Sequence, residues 1–448
     1  MQVSGPDAAT ASATDSPRRP SRFHWLITLL VSLAFASNGV DFAAISYALP
    51  GIRREWQLSP PELGIVSAAV SAGQVCGSLL IGWLADRLGR RGIMVATIAL
   101  ASLATGLSGL APAAWVVTLM LFVAGLGISG VGPVATSLLG EFAPPRVRGQ
   151  LMAWTQVSWT SGWCLTAAGG AALAAGLGWR WILALGAAPL VVAVLGWKLT
   201  PESPRFLLAH GRRAEAEAVV RQLELRHGVR LPLPAQQRAA RRASPLRDLR
   251  ELWGPLFRRR TVTLWLTWFV MVACFNGPVI WLPAILSSAG GSPALAARTS
   301  LIIALFMLPA SVLSVVLIDR AGRRPLLMAS LQVAALGALG LALAGAEPAI
   351  ILSGGALAGG VLAAWPIVLG YTAELYPTRV RGTAAGAAGA FSRSGGVVSP
   401  LLLGALLSNW GGLALALGVF GAMLLLAVLL VAVQGEETRG RTLEELSG

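Results

Sequence analysis

Two formally charged side chains stand in the middle of long apolar runs, Asp41 within residues 25–49 and Arg393 within residues 383–408. At ~1.5 Å per residue, Asp41 lies about 12 Å from the outer end of its run and Arg393 about 15 Å from the inner end of its own. Both are therefore near mid-depth in whatever the runs cross. An ionisable group there costs several kcal/mol unless paired or neutralised, which marks both as candidate working groups. Desolvation favours the neutral carboxyl, so Asp41 suits a group that takes a proton on one side and loses it on the other. The plainer alternative is a helix-packing Asp. Arg393 is flanked by Ser392, Ser394, Gly395 and Gly396, small residues that leave room for an anion beside a permanently charged fork; a structural ion pair is its alternative. Asn38, three residues before Asp41, shares its helix face. The other candidates for contact with a small molecule are Gln156, Trp159 and Trp163, Asn276, and Tyr371, with core or lipid packing the competing role for each Trp.

The elements that must position these groups follow from composition. Of 448 residues, 55% are hydrophobic and 12% charged, too apolar for an ordinary soluble domain. Twelve runs are long enough to cross a ~30 Å hydrocarbon core. They fall at 25–49, 63–85, 92–111, 115–139, 150–174, 180–199, 262–286, 298–318, 325–345, 348–371, 383–408 and 411–433. The first exceeds a signal-peptide core, so no cleavage is expected. The expected fold is an all-α membrane protein of two six-helix halves, 23–199 and 261–434. A disordered tail (1–22) precedes them, a basic linker (200–260) separates them and a short tail (435–448) follows. The linker holds 14 Arg, and its apolar spacing at Ala214 to Leu225 predicts a short amphipathic helix at the membrane surface.

The net charge of +15 does not signal nucleic acid, because alternate loops carry the basic residues and the other side keeps only Arg53, Arg54, Arg180 and Arg298. The positive-inside rule then puts both termini in the cytoplasm. The sole lysine, Lys198, precedes Leu199, which excludes a phosphate-binding P-loop. Cys76, Cys164 and Cys274 sit in apolar runs and form no disulfide framework. His24, His210 and His227 lie at or beyond the edges of the runs, and with no nucleophile or metal constellation an enzyme is not expected.

An internal repeat fixes the architecture. Asp86-Arg87-Leu88-Gly89-Arg90-Arg91 recurs as Asp319-Arg320-Ala321-Gly322-Arg323-Arg324, an offset of 233 residues (319 − 86). Glu141-Phe142-Ala143-Pro144-Pro145-Arg146-Val147-Arg148-Gly149 recurs as Glu374-Leu375-Tyr376-Pro377-Thr378-Arg379-Val380-Arg381-Gly382 at the same 233 (374 − 141). Two polar motifs repeating at one spacing imply duplicated halves in the same orientation, related by an axis along the membrane normal. Carboxylates and guanidiniums in such loops suit a latch that pairs with helix ends and with Glu141, Glu374 and Glu202 in one state and lets go in another.

Through the loop motif Gly82-Trp83-Leu84-Ala85-Asp86-Arg87-Leu88-Gly89-Arg90-Arg91, the chain resembles the major facilitator superfamily of transporters, from about residue 25 to the end. Pro201-Glu202-Ser203-Pro204-Arg205 and its echo Glu436-Glu437-Thr438-Arg439-Gly440 resemble the sugar-porter and organic-ion branches. The resemblance implies that Asp86 and its neighbours hold the cytoplasmic side closed. The gating set is Asp86, Arg87, Arg90, Arg91, Glu141, Arg148 and Glu202 in one half, and Asp319, Arg320, Arg323, Glu374 and Arg381 in the other. Asp41 resembles the proton-coupling position of sugar and aromatic-acid symporters, although Leu121 stands where helix 4 of that family carries Arg and Asn38 where aromatic-acid symporters tend to carry a first acid. Arg393 resembles the helix 11 Arg of the organic-ion and aromatic-acid branches, and Gln156 a sugar-porter Gln. The paired Gln of sugar-porter helix 7, the Pro-Trp before the Glu of their helix 10 and the Gly-Pro signature of drug exporters are missing. The expectation is a secondary transporter in the inner plasma membrane, moving a small organic acid by alternating access with proton symport. A sugar or polyol symporter, a cation or drug antiporter, and a non-transporting sensor are the alternatives. Expected partners are the solute, protons and the bilayer, with no nucleic acid, cofactor or metal, and a monomeric state.

Overall fold

The computed structural model describes residues 21–143, 147–174, 176–227, 245–288, 292–409 and 412–439, and among them every regular element is helical. Twelve long helices follow in order: α1 Arg22–Glu55, α2 Pro60–Leu88, α3 Arg90–Ser108, α4 Ala114–Phe142, α5 Arg148–Ala174, α6 Trp179–Leu199, α7 Arg258–Ser288, α8 Pro293–Ala321, α9 Arg323–Leu343, α10 Glu347–Glu374, α11 Thr378–Asn409 and α12 Gly412–Gln434. Ten are individually long and apolar enough to cross a membrane, and α2, taken as one bent span, makes up to eleven. The remaining one, α5, is 27 residues long, but Ser, Thr, Trp and Gly lower the mean hydropathy of its most apolar stretch. The tail up to residue 20, linker residues 228–244 and residues 440–448 lie outside the described residues. Within the linker, short helices form at Pro204–Ala209, Arg213–His227 and Pro245–Leu252, the second where the apolar spacing placed one.

Local chemistry sets the helix ends. Ser59 and Glu62 form a capping box at the start of α2, with Pro60 in the first turn, and Ser292 Oγ accepts from Leu295 N–H at 3.2 Å at the start of α8. Between α2 and α3, and again between α8 and α9, the chain turns at a glycine with positive φ, 99° at Gly89 and 89° at Gly322. That backbone favours Gly, and its recurrence 233 residues on (322 − 89) makes the repeat visible in the backbone itself.

Packing repeats with the sequence. In the first half α2 packs on α4, α1 on α5 and α3 on α4; in the second α8 packs on α10, α7 on α11 and α9 on α10. The halves meet along α2 with α11 and α5 with α8, two seams that a two-fold axis exchanges, and along α1 with the end of α7. α1 begins and α12 ends on one face, here the terminal side. On the opposite, far side the seam is tight: a Cβ on Gly64 would stand 2.7 Å from Pro400 O, and one on Gly404 2.5 Å from Pro60 O.

Candidate functional site

The centre of the molecule is aromatic. Phe42 of α1, Trp159 and Trp163 of α5, Phe275 of α7 and Trp365 of α10 form a continuous set of ring contacts with centroids 5.4–6.3 Å apart. Trp268 extends it, edge-on to Trp365 at 5.5 Å. These separations are those of favourable edge-to-face and offset ring pairs. The cluster joins the two halves, and Phe275 opens a π-helical turn, Phe275–Val279, that contains Pro278. Proline donates no N–H, and Asn276 Nδ2 donates to the Val272 carbonyl at 3.0 Å. Asn276 Oδ1 in turn accepts from Ser71 Oγ of α2 at 3.2 Å, a hydrogen bond between the halves.

Beyond the cluster the far side is shut. Ser46 Oγ donates to the Ile280 carbonyl and Cys164 Sγ to the Ala304 carbonyl. Between Tyr47, Trp163, Pro283, Ser300 and Ala358 a void of about 10 Å³ remains, room for one water, and further out a vestibule of about 270 Å³ lies between Tyr47, Glu55 and Trp179 of the first half and Pro283 and Ala297 of the second. The ion pairs described at the terminal side, by contrast, run within a half. Arg90 pairs with Glu141, whose other oxygen accepts from Ser203 Oγ; Arg323 pairs with Glu374 at 3.0 Å, whose other oxygen accepts from Thr438 Oγ1. Glu202 accepts from the N–H groups of Arg90 and Arg91, and Glu437 from those of Arg323 and Arg324, so each caps a helix start.

The sequence candidates fall into three places. Asn276 and Trp159 belong to the central cluster; Gln156, half-buried, lies one turn from Trp159 on α5. Arg393 is half-buried at mid-helix, with Nη1 donating to the Gly389 carbonyl at 2.9 Å and no carboxylate paired to it among the described residues.

Asp41 is elsewhere. It is 0% exposed and turned away from the seam, toward α3 and α6: Thr105 is its polar neighbour, and a Cβ on Gly186 would stand 3.4 Å from its Oδ1. The Thr105 hydroxyl is the polar group that faces the carboxyl, and no cation pairs with it among the described residues. Asp41 and Arg393, both near mid-depth, thus do not face one another, because it is Phe42, one residue or ~100° further round α1, that points into the centre. Asn38 Nδ2 reaches the Ile128 carbonyl of α4 at 3.4 Å, within the same half. Tyr371 is also displaced from the centre, buried at the terminal end of α10 with its hydroxyl donating to the Glu436 carbonyl.

Among the gating candidates, Asp86 is exposed, with no ion pair described; Arg87 lies 4.0 Å over the Trp83 ring; Asp319 pairs with Arg323 at 3.1 Å; and Arg320 is exposed. Arg381 Nε donates to the Tyr376 carbonyl at 3.3 Å, while the side chain of Arg148 lies outside the described residues. Sequence reasoning missed Phe42, Trp268 and Trp365, whose only signal was an aromatic ring at mid-depth.

A family model described as "Sugar (and other) transporter" matches residues 25–448. The chain belongs to this family, within the major facilitator superfamily. It is 30% identical to the niacin transporter of Acinetobacter baylyi, over 95% of this chain and 97% of that one. It is 28% identical to the putative niacin/nicotinamide transporter of Bacillus subtilis, over 93% and 96%. Its fold matches the E. coli xylose transporter XylE in a partially occluded inward-open conformation, with a TM-score of 0.77, 20% identity, and 94% of this chain and 100% of that one covered. Membership makes the chain a multi-pass membrane transporter of a small molecule, not an enzyme.

Proposed function

We propose that this transporter carries a small aromatic carboxylate across the inner membrane, as a monomer with both termini in the cytoplasm, by alternating access coupled to proton symport. The observation that carries the reading is the ring cluster joining Phe42, Trp159, Trp163, Phe275 and Trp365 across the halves. Ring faces and edges bind flat aromatic molecules, and the guanidinium of Arg393, with only Nη1 engaged, has donors left for a carboxylate. The niacin in the names of both relatives is a flat pyridine carrying a carboxylate, which supports that class. The sugar alternative leans on amides. Asn276 has both ends of its amide engaged within the protein, which leaves Gln156 alone for a polyol.

Proton coupling is assigned to Asp41. Burying a carboxylate without an ion pair costs several kcal/mol, a cost that a proton removes while α1, α3 and α6 enclose it and that water removes when they part, so the proton is then free to leave. The paired clusters around Glu141, Glu202, Glu374 and Glu437 act as braces that keep each half rigid while it rocks, and the basic loops beside them support a cytoplasmic terminal side.

Counterflow in liposomes tests the substrate class, with nicotinate, xylose and a quaternary amine as competitors. Nicotinate alone is expected to compete, and Arg393→Ala to raise its half-saturating concentration by about tenfold, the worth of one charge-assisted hydrogen bond. Competition by xylose without nicotinate would replace this reading with the sugar one.

A further inference from the structure

At the terminal side, where α1 begins and α6 ends, the linker helix Arg213–His227 closes over a cavity of about 220 Å³. Its apolar wall is Phe23 and Leu26 of α1 with Val219 and Leu223 of the linker helix, and its polar wall is Arg91, Lys198, Thr200 and Gln222. No acidic side chain lines it. Two of the polar groups are buried without a partner: the Nε of Arg91, and the hydroxyl of Thr200, whose residue is 4% exposed. A buried guanidinium N–H and a hydroxyl left unpaired each forgo a hydrogen bond at a cost of about 1–3 kcal/mol, and both belong to residues that line one cavity beside a lysine.

The other half supplies an internal control. Arg324 corresponds to Arg91, and the Nη2 of each donates to the equivalent carbonyl, Ala432 and Trp197, but the Nε of Arg324 donates to the Val431 carbonyl at 3.3 Å while that of Arg91 has no partner. The caps Glu202 and Glu437 differ by 235 residues (437 − 202), and at that spacing Lys198 corresponds to Val433 and Thr200 to Gly435. The first half has therefore freed the arginine Nε and added an ammonium and a hydroxyl where the second half has none. Duplication alone does not account for that difference.

We propose that this cavity is a phosphate site, filled by the headgroup phosphate of an anionic membrane lipid, which clamps the linker helix onto the first half. A phosphate oxygen accepts from Arg91, Lys198, Thr200 and Gln222 together, and the apolar wall takes the glycerol and the start of an acyl chain. The position suits the membrane interface: Trp25 and Trp197, 53% and 55% exposed, flank the cavity, and the Arg91 guanidinium lies 4.5 Å over the Trp197 ring.

The test uses the purified full-length chain, with thermal stability and tryptic cleavage of the linker as readouts. It is compared in phosphatidylcholine vesicles with and without phosphatidylglycerol, and in detergent with and without inorganic phosphate. Phosphatidylglycerol is expected to raise the melting temperature and slow cleavage of the linker. Lys198→Gln and Thr200→Val should each weaken that response about tenfold while matching the parent in phosphatidylcholine alone. Lys198 is exposed, so its variant tests binding apart from folding. Equal stabilisation by inorganic phosphate, lost in Lys198→Gln, would make the ligand a soluble phosphate and overturn the lipid as its source. No response to either, or a full response in both variants, would overturn the site.

Discussion

Adjacent residues on α1 divide the work of the centre. Phe42 stacks into the cluster that both halves share, while Asp41 is enclosed by α3 and α6 within one half. The proposed roles in recognition and coupling therefore fall on different faces of one helix, and substitutions should separate them. Phe42→Ala is expected to raise the half-saturating concentration for nicotinate about tenfold, from the loss of ring contacts worth ~0.5–1.5 kcal/mol beyond buried area, while a proton gradient still drives accumulation. Asp41→Asn keeps the shape; it should leave counterflow affinity within about twofold and abolish gradient-driven accumulation. Parallel counterflow and pH-jump uptake on the two variants check this, and a large affinity loss in Asp41→Asn would return Asp41 to the binding site. That Asp41 and Arg393 are special was legible, because charge in an apolar run is conspicuous. Which face Asp41 takes was not: the sequence tells that a helix is apolar all round, and only the packed neighbours, Thr105 and Gly186, decide which apolar face looks inward. Phe42 was invisible for the same reason, since a Phe in a membrane helix is as apt for lipid as for a site.

At the scale of elements, glycine sets how closely the helices approach. Gly39 of α1 and Gly162 of α5 face each other so that a Cβ on either would overlap backbone of the other helix, at Trp159 O and Ala36 O; Gly73 of α2 and Gly125 of α4 do the same at Phe122 O and Val70 O. The run Gly125, Gly127, Gly130 and Gly132 reads from sequence as a packing surface, and the first three do meet neighbours closely, while Gly132 has only the Phe35 ring at 3.9 Å. Gly39 and Gly162 escape a sequence reading because a lone glycine carries no periodicity; their meaning exists only once α1 lies on α5. Gly125→Ala is expected to destabilise the protein by ~1–3 kcal/mol through overpacking, whereas Gly418→Ala on α12, where a Cβ meets open space, should leave the melting temperature unchanged or higher. Thermal denaturation of the two variants in detergent measures the contrast. The repeat motifs were legible as a pair, but not their partners: spacing identifies Glu202 and Glu437 as related without revealing that each caps a helix in its own half. Because the two caps lie in separate clusters, Glu202→Gln and Glu437→Gln should destabilise additively within ~0.5 kcal/mol, and a larger coupling in the double variant would mean that the clusters interact.

For the whole molecule, the decisive geometry is how tightly α2 and α11 meet on the far side. The far-side seam depends on two glycines, Gly64 and Gly404, which let the start of α2 and the end of α11 meet backbone to backbone at Pro400 and Pro60. A bulky side chain there has no flexible neighbour to displace, since what it meets is main chain. Gly404→Leu should therefore penalise the closed far side by the ~1–3 kcal/mol typical of overpacking and raise the far-side-open population about fivefold to a hundredfold. Complete inversion from 1:99 to 99:1 needs ~5.5 kcal/mol, so one substitution biases the equilibrium without locking it, and adding Gly64→Leu should push it further. Cys164 is a native reporter, half-buried on the α5–α8 seam with its thiol donating to the Ala304 carbonyl at 3.3 Å. In a Cys76→Ser background, which removes the exposed thiol and leaves Cys274 buried, a membrane-impermeant maleimide applied from the far side should label Cys164 slowly in the parent. Labelling should be several-fold faster in Gly404→Leu, and counterflow should fall in step, because a site that cannot close outside cannot deliver its load inside. If labelling stays at the parent rate while transport falls, the α2–α11 seam is not the gate, and the α1–α7 contact at Ser46 and Ile280 becomes the element that closes the far side.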